Sequence, residues 1–192
     1  MMRSYAELSE HLGPDPLAVR MMKFVEQHET ALDIGAGSLR NTKFLLEKGF
    51  RVTAIDTDPA LAKYAKEVEG DLLTTSVCDV ANFNFSSTYD IILAVNTLSF
   101  LAPPDFYTVL EKIKNNLSDE GVLCVTLFGN EDEWSGNEEM TFLSRSEAEE
   151  CVRDLHTLVF IEEKSEGATI EGEAKFWHIF RIIAQKKRAG LQ

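Results

Sequence analysis

A chain of 192 residues suits one folded domain and leaves little room for a second. Hydrophobic residues make up 44% and charged residues 27%, an ordinary globular balance that excludes a disordered or low-complexity protein. The formal net charge of −13 sets most of the surface against a phosphate backbone, so RNA and DNA are not expected partners.

The first residues, Met1 to Glu7, lack the apolar core of a secretory signal. The longest apolar run, Phe176 to Ala184, is broken by His178 and Arg181 and is too short to span a membrane. A cytoplasmic protein without a membrane partner is the expectation. The cysteines, Cys78, Cys124 and Cys151, are far apart and in no metal-ligand spacing. All three read as buried small residues, and no metal is expected.

Asp15-Pro16 has the form of a helix cap followed by proline, and Leu17, Met21, Phe24 and Val25 then share one helical face. Ala31 to Ile34 reads as a first buried strand, ending at Gly35 and Gly37. The pattern predicts a helix from Ser38 to Lys48 with Gly49 as its C-cap, a second strand over 51–55, and a helix opened by Asp58-Pro59. A third strand spans 72–77 and a fourth, apolar on both faces, spans 90–95. Pro103-Pro104-Asp105 opens a helix whose inner face carries Phe106, Val109, Leu110, Ile113 and Leu117. Residues 118–121 read as a turn and 122–128 as a fifth strand. Ser144 and Glu147 form a capping box, and the last strands are 158–162 and 176–184.

Alternating strands and helices imply a doubly wound α/β sheet, Rossmann-like and seven-stranded. The connection over 163–175 is polar, carries Gly167 and Gly172, and is too poor in helical pattern for a crossover. The last strand is therefore expected to run antiparallel. One domain over 1–192 is expected, with residues 1–28 as a helical segment packed on a ligand site and 29–187 as the core.

The chemistry concentrates at Asp33-Ile34-Gly35-Ala36-Gly37-Ser38, where the first strand meets the first helix. Glycines there admit a ligand close to the backbone beside free N–H groups. Asp56 ends the second strand, where an acid can accept hydrogen bonds from an adenosine ribose. A dinucleotide fingerprint needs a third glycine at position 40, which is Arg40. Asp33 would also repel a pyrophosphate, whereas it suits the α-ammonium group of S-adenosylmethionine, directly or through a water. These points favour S-adenosylmethionine over NAD(P).

These residues resemble motif I of the class I S-adenosylmethionine-dependent methyltransferases, and the resemblance runs from about Tyr5 to Lys187. Val77-Cys78-Asp79-Val80 is similar to the family segment that meets the adenine. Tyr89 to Leu98 resembles the segment at the end of the fourth strand. Asp132-Glu133-Trp134 and Lys175 to Phe180 are similar to a small bacterial subgroup related to tellurite-resistance methyltransferases. The resemblance implies a cofactor set of Asp33, Gly35, Ala36, Gly37, Arg40, Asp56, Thr57, Cys78, Asp79, Val80, Val95 and Asn96, with Tyr5 and Arg40 near the methionine end. It implies S-adenosyl-L-homocysteine as product. The family's third glycine, two residues after Gly37, is here Leu39. Asn96-Thr97-Leu98-Ser99 lacks the Pro-Pro-aromatic sequence of enzymes that methylate base or glutamine amino groups.

Candidates near the reacting methyl are Asn96, Trp134 and His178. Asn96 reads equally as a cap, Trp134 as a loop anchor and His178 as a packed strand residue. His11, His28 and His156 have no partner in sequence. The expected activity is methyl transfer to a small molecule, with thiol, chalcogen oxyanion, hydroxyl and amine acceptors all open. A non-catalytic S-adenosylmethionine-binding regulator and an NAD(P)-dependent oxidoreductase are the alternatives. Oligomeric state is open.

Overall fold

The computed structural model describes residues 5–26 and 29–188. His28 lies outside the described residues, as do Met1 to Ser4.

The strands are β1 (Thr30–Ile34), β2 (Arg51–Asp56), β3 (Leu73–Val77), β4 (Tyr89–Ala94), β5 (Leu117–Gly129), β6 (Phe142–Leu143), β7 (His156–Ala168) and β8 (Ala174–Gln185). They form one sheet in the order β3-β2-β1-β4-β5-β8-β7, and β6 adds a short parallel pairing to the end of β5. The expected seven strands are therefore joined by an eighth of two residues. β8 is antiparallel to both β5 and β7, and every other pair is parallel.

The helices are α1 (Tyr5–Ser9), α2 (Pro16–Met21), α3 (Arg40–Glu47), α4 (Leu61–Ala65), α5 (Pro103–Asn115) and α6 (Arg145–Cys151). The two sheet faces are covered by different helices, because the parallel strands are apolar on both sides. Phe106, Val109 and Ile113 of α5 pack with Ala148 and Cys151 of α6 against Leu32, Ile92 and Leu123. On the other face Leu17, Ala18 and Met21 of α2 and Leu45 of α3 meet Ala31, Ile91 and Cys124. Each buried Leu or Ile of these layers contributes about 1.5–3 kcal/mol.

The caps were readable from local chemistry. The Asp15 carboxylate accepts from Leu17 N at the start of α2, and Ser144 and Glu147 make the reciprocal capping box of α6. Several segments differ from expectation. Leu117 does not sit on α5, which ends at Asn115, but opens β5, and α2 stops at Met21, so that Val25 is extended. Residues 118–121 are not a free turn but a bulge inside β5: partner register jumps from Leu117 to Val122 opposite Tyr89 and Ile91, and Glu120 has φ +63°. β7 and β8 extend past the expected ends and pair through Ala168 and Ala174, which shortens the connection to 169–173. Polar residues suit a strand here, because an antiparallel ribbon leaving the sheet has little core face to keep apolar. Finally, α3 starts two residues late, because Leu39 stands in the left-handed region at φ +66°.

Candidate functional site

β1 to β5 end on one side of the sheet, where an open cavity of about 950 Å³ lies beside their C-terminal ends. Its floor is the turn after β1, flanked by Asp56 and Asp79 beyond β2 and β3 on one side and by Asn96 beyond β4 on the other. α1 and the tip of the β7–β8 ribbon, Thr169 to Glu173, stand over it.

The glycine turn is held from several directions. Gly35 N and Ala36 N both donate to Ile55 O, at 2.8 and 3.0 Å. Thr97 Oγ1 donates towards Ile34 O (3.1 Å) or Val95 O (3.0 Å), tying β1 to β4. Gly35 has φ +74°, and a Cβ there would lie 2.0 Å from Thr97 Oγ1, so both backbone and packing demand glycine. Gly37 differs: φ is +52°, but a Cβ would meet nothing within 4 Å. The space above it is open to a ligand. Ser38 is buried against this cavity, and its Oγ is the one buried side-chain polar atom without a partner among the described residues. A donor and acceptor so placed suits a polar cofactor atom.

Asp56 organises the turn and faces the cavity. Its Oδ2 accepts from Gly37 N at 2.7 Å and its Oδ1 from Asp58 N at 2.8 Å. Each carboxylate oxygen keeps a further lone pair for a ribose hydroxyl. Arg40 lines the same cavity, with Nη1 donating to Gly13 O at 3.3 Å and Nη2 3.8 Å from Asp15 Oδ2. Gly35, Ala36, Thr57, Cys78, Val80 and Val95 also line it. Cys78 is half-buried there, which corrects its expected burial, whereas Cys124 and Cys151 are buried. Tyr5 lines the cavity and is half-exposed.

Asp33 needs a correction. It does not line the cavity but lies behind the turn, fully enclosed, where Thr42 Oγ1 donates to its Oδ2 at 2.6 Å. Burial pushes its pKa up to about 6, opposed by the Thr42 hydrogen bond and raised further by Asp56. Any contact of Asp33 with a ligand amino group is thus indirect.

Of the three candidates near the chemistry, Asn96 and Trp134 line the cavity and His178 does not. Asn96 adopts φ +53°, with its N donating to Thr126 Oγ1 at 2.7 Å and its Oδ1 accepting from that hydroxyl at 3.0 Å. His178 points to the α6 side of β8. Its Nδ1 accepts from Glu131 N at 3.1 Å, which leaves the proton on Nε2 facing Glu162 Oε1 at 3.1 Å. A Cβ at Gly129 would fall 2.1 Å from His178 Nδ1, so Gly129 makes room for the ring. His178 is a packing group here, not a base. His11 and His156 are exposed.

Sequence reasoning missed the aromatic wall beside Asn96. Phe100, Phe128, Trp134 and Trp177 line the cavity with neighbouring ring centroids 5.5 to 6.4 Å apart. Behind them the Lys175 ammonium is paired with Asp132, with side chains only 1% and 0% exposed. It sits 3.7 Å from the Trp177 ring centre and 4.2 Å from that of Trp134. Asp132 also accepts from Trp134 N and His178 N, which fixes the loop after β5 onto β8. The signal was present as two separate acidic-aromatic and basic-aromatic segments, Asp132-Glu133-Trp134 and Lys175-Phe176-Trp177. Nothing in their spacing said that they meet.

The sheet order, the reversed β8 and a glycine turn followed by a strand-end acid define the class I, Rossmann-like methyltransferase fold. Residues 31–121 match the family described as "Methyltransferase domain". A carboxy-S-adenosyl-L-methionine synthase of Vibrio parahaemolyticus is 31% identical over 123 residues, covering 59% of this chain and 50% of that protein. The chain thus spans about half the length of the curated relatives it matches. TehB from Haemophilus influenzae superposes with a TM-score of 0.71 at 19% identity, covering 88% of this chain and 61% of the other. A Burkholderia thailandensis 1,6-didemethyltoxoflavin-N1-methyltransferase, solved with its acceptor and S-adenosylhomocysteine, gives 0.67 at 21% identity, covering 90% and 77%. These two likenesses show the fold. Among the described residues no helix is long and apolar enough to cross a membrane, and no group of His, Cys, Asp and Glu is placed to hold a metal.

Proposed function

We propose that this protein transfers the methyl group of S-adenosylmethionine to a small-molecule acceptor bound in the same cavity. The observation that carries the reading is the continuous cavity wall from Asp79 past Asp56 and the open Gly37 to Asn96, with the unpartnered Ser38 hydroxyl within it. Asp56 would take the ribose hydroxyls, Cys78, Asp79 and Val80 the adenine, and Arg40 the methionine carboxylate. Asn96, fixed by Thr126, would border the methyl group. When bound, S-adenosylmethionine supplies an activated methyl: the acceptor lone pair bonds to the methyl carbon, the carbon–sulfur bond breaks with its electrons on sulfur, and S-adenosylhomocysteine leaves. The chain's own contribution is position, since a bound near-attack geometry alone can lower a barrier by about 7–11 kcal/mol. A volume of about 950 Å³ is at the upper end of the roughly 300–1,000 Å³ usual for small-molecule sites, which suits a cofactor with a second molecule beside it.

Calorimetric titration with S-adenosylmethionine, S-adenosylhomocysteine and NADH tests the reading. Saturable binding of the first two and none of NADH is expected, and binding of NADH alone would overturn it. Asp56→Asn removes one acceptor while keeping the side chain's shape, and should weaken cofactor binding about ten-fold. Mass-spectrometric detection of S-adenosylhomocysteine during turnover then separates methyl donation from modification of the cofactor itself.

A further inference from the structure

The cavity has two unlike halves. One carries Asp56, Asp79 and the glycine turn; the other is the wall of Phe100, Phe128, Trp134 and Trp177. Phe100 is 51% exposed although it belongs to this wall, so a large apolar face stands open inside a site. Its neighbours meet it edge-on or tilted, the arrangement that leaves ring faces available for stacking.

Such a cluster of rings can serve as a cage for a ligand cation. Here that role is already filled from within, because Lys175 holds its ammonium against Trp177 and Trp134, sealed from solvent and paired with Asp132. A second cation at those rings would meet like charge across them. An anion is disfavoured for a different reason. Glu163, Glu171 and Glu173 of the β7–β8 ribbon line the cavity, and of its two arginines Arg40 stands by the glycine turn near Asp15, while Arg181 Nε already donates to Glu163 Oε2 at 2.8 Å. The acceptor left by both exclusions is uncharged and flat.

We infer that the wall of Phe100, Phe128, Trp134 and Trp177 is the acceptor subsite, and that it takes a neutral planar aromatic or heteroaromatic molecule by stacking. This rests on the methyl-transfer reading of the same cavity. Ser165 and Asn96 border the wall and supply hydrogen-bonding groups for a ring substituent. Lys175 and Asp132 act as positioning residues, holding the two indoles from behind.

The test uses an unusual convenience: the chain has two tryptophans, and both are in the wall. The full chain is saturated with S-adenosylhomocysteine and titrated with 1-naphthol, 6-hydroxyquinoline and xanthine, and with sarcosine and selenite as a charged amine and an oxyanion. Tryptophan emission and calorimetry are read together. At least one planar probe should bind saturably and change the emission, while sarcosine and selenite do neither. Trp134→Leu should weaken that probe by about five- to hundred-fold, the range of aromatic stacking losses. Phe100→Leu, at an exposed position that does not threaten folding, should weaken it by about two- to ten-fold. Both variants should bind S-adenosylhomocysteine as the wild type does. Cofactor binding without binding of any planar probe overturns the inference and leaves the methyl-transfer reading standing. Saturable binding of sarcosine or selenite with an emission change also overturns it. Failure to bind S-adenosylhomocysteine overturns the underlying reading itself.

Discussion

Leu39 shows how a single residue can hold a conformation that its side chain resists. It is fully buried against Ala36, Ala54 and Tyr64, yet it sits at φ +66°, where a non-glycine residue loses roughly 1–2 kcal/mol. Burial outweighs this, because truncating a buried leucine costs about 2–5 kcal/mol. Both Leu39→Ala and Leu39→Gly should therefore destabilise the protein. Glycine should be the milder by about 1 kcal/mol, the reverse of the usual order in helices, and urea midpoints of the two variants would show it. Asp33 offers a second residue-scale test. Its pKa is raised from 3.8 to about 6, so the folded protein binds its proton more tightly than the unfolded chain does. That contribution is complete below pH 4 and is lost as pH rises through about 6, a swing of about 3 kcal/mol. Asp33→Asn should gain stability relative to the wild type across that window, and a denaturation series from pH 4 to pH 8 would reveal a parallel response if Asp33 were not the titrating group. The place of Asp56 at the end of β2, facing the cavity, was legible at this scale, since a strand-end acid follows directly from the strand pattern. The seclusion of Asp33 was not, because a sequence cannot say which face of β1 the Thr42 hydroxyl will reach.

Elements were legible wherever a local rule governed them. The proline starts of α2 and α5, the Ser144 capping box and the doubly apolar β4 all follow from nearest-neighbour chemistry. The extension of β7 and β8 was hidden because its pairs, such as Lys164 with His178 and Glu166 with Phe176, carry no apolar alternation. Among the bonds that hold this ribbon to the sheet end is the buried Lys175–Asp132 ion pair between β8 and the loop after β5. Breaking a buried pair by removing one partner costs about 3–5 kcal/mol, since the other charge is left stranded. Lys175→Met and Asp132→Asn should each lower stability by about that amount. The double variant should lose much less than the sum, and a double-mutant cycle measures the difference. Additive losses would mean that the pair does not act as a unit.

For the whole molecule, the doubly wound sheet was legible from the alternation of elements, whereas the aromatic wall was not. It is assembled from the segment after β4, the end of β5, the loop beyond it and β8, which only the fold brings together. Binding to the folded state alone stabilises in proportion to the logarithm of saturation. S-adenosylhomocysteine at one hundred times its dissociation constant should add about 2.7 kcal/mol, or a rise in Tm of roughly 5–10 °C for a chain of this length. An unshifted melting curve under those conditions would contradict the assignment of the cavity.

The antiparallel β8 lies between β5 and β7, so a strand late in the chain fills a gap in the interior of the sheet. During synthesis β1 to β4 can pair as they emerge, but β5 keeps an open flank, and β7 has no neighbour in the sheet until β8 arrives. Val122 to Phe128 would meanwhile present an apolar edge of the kind that recruits foreign strands. The nascent protein is therefore most exposed to aggregation in the interval between translation of β5 and release of β8, and a ribosome stalled in that interval would hold a chain with its central seam unsewn.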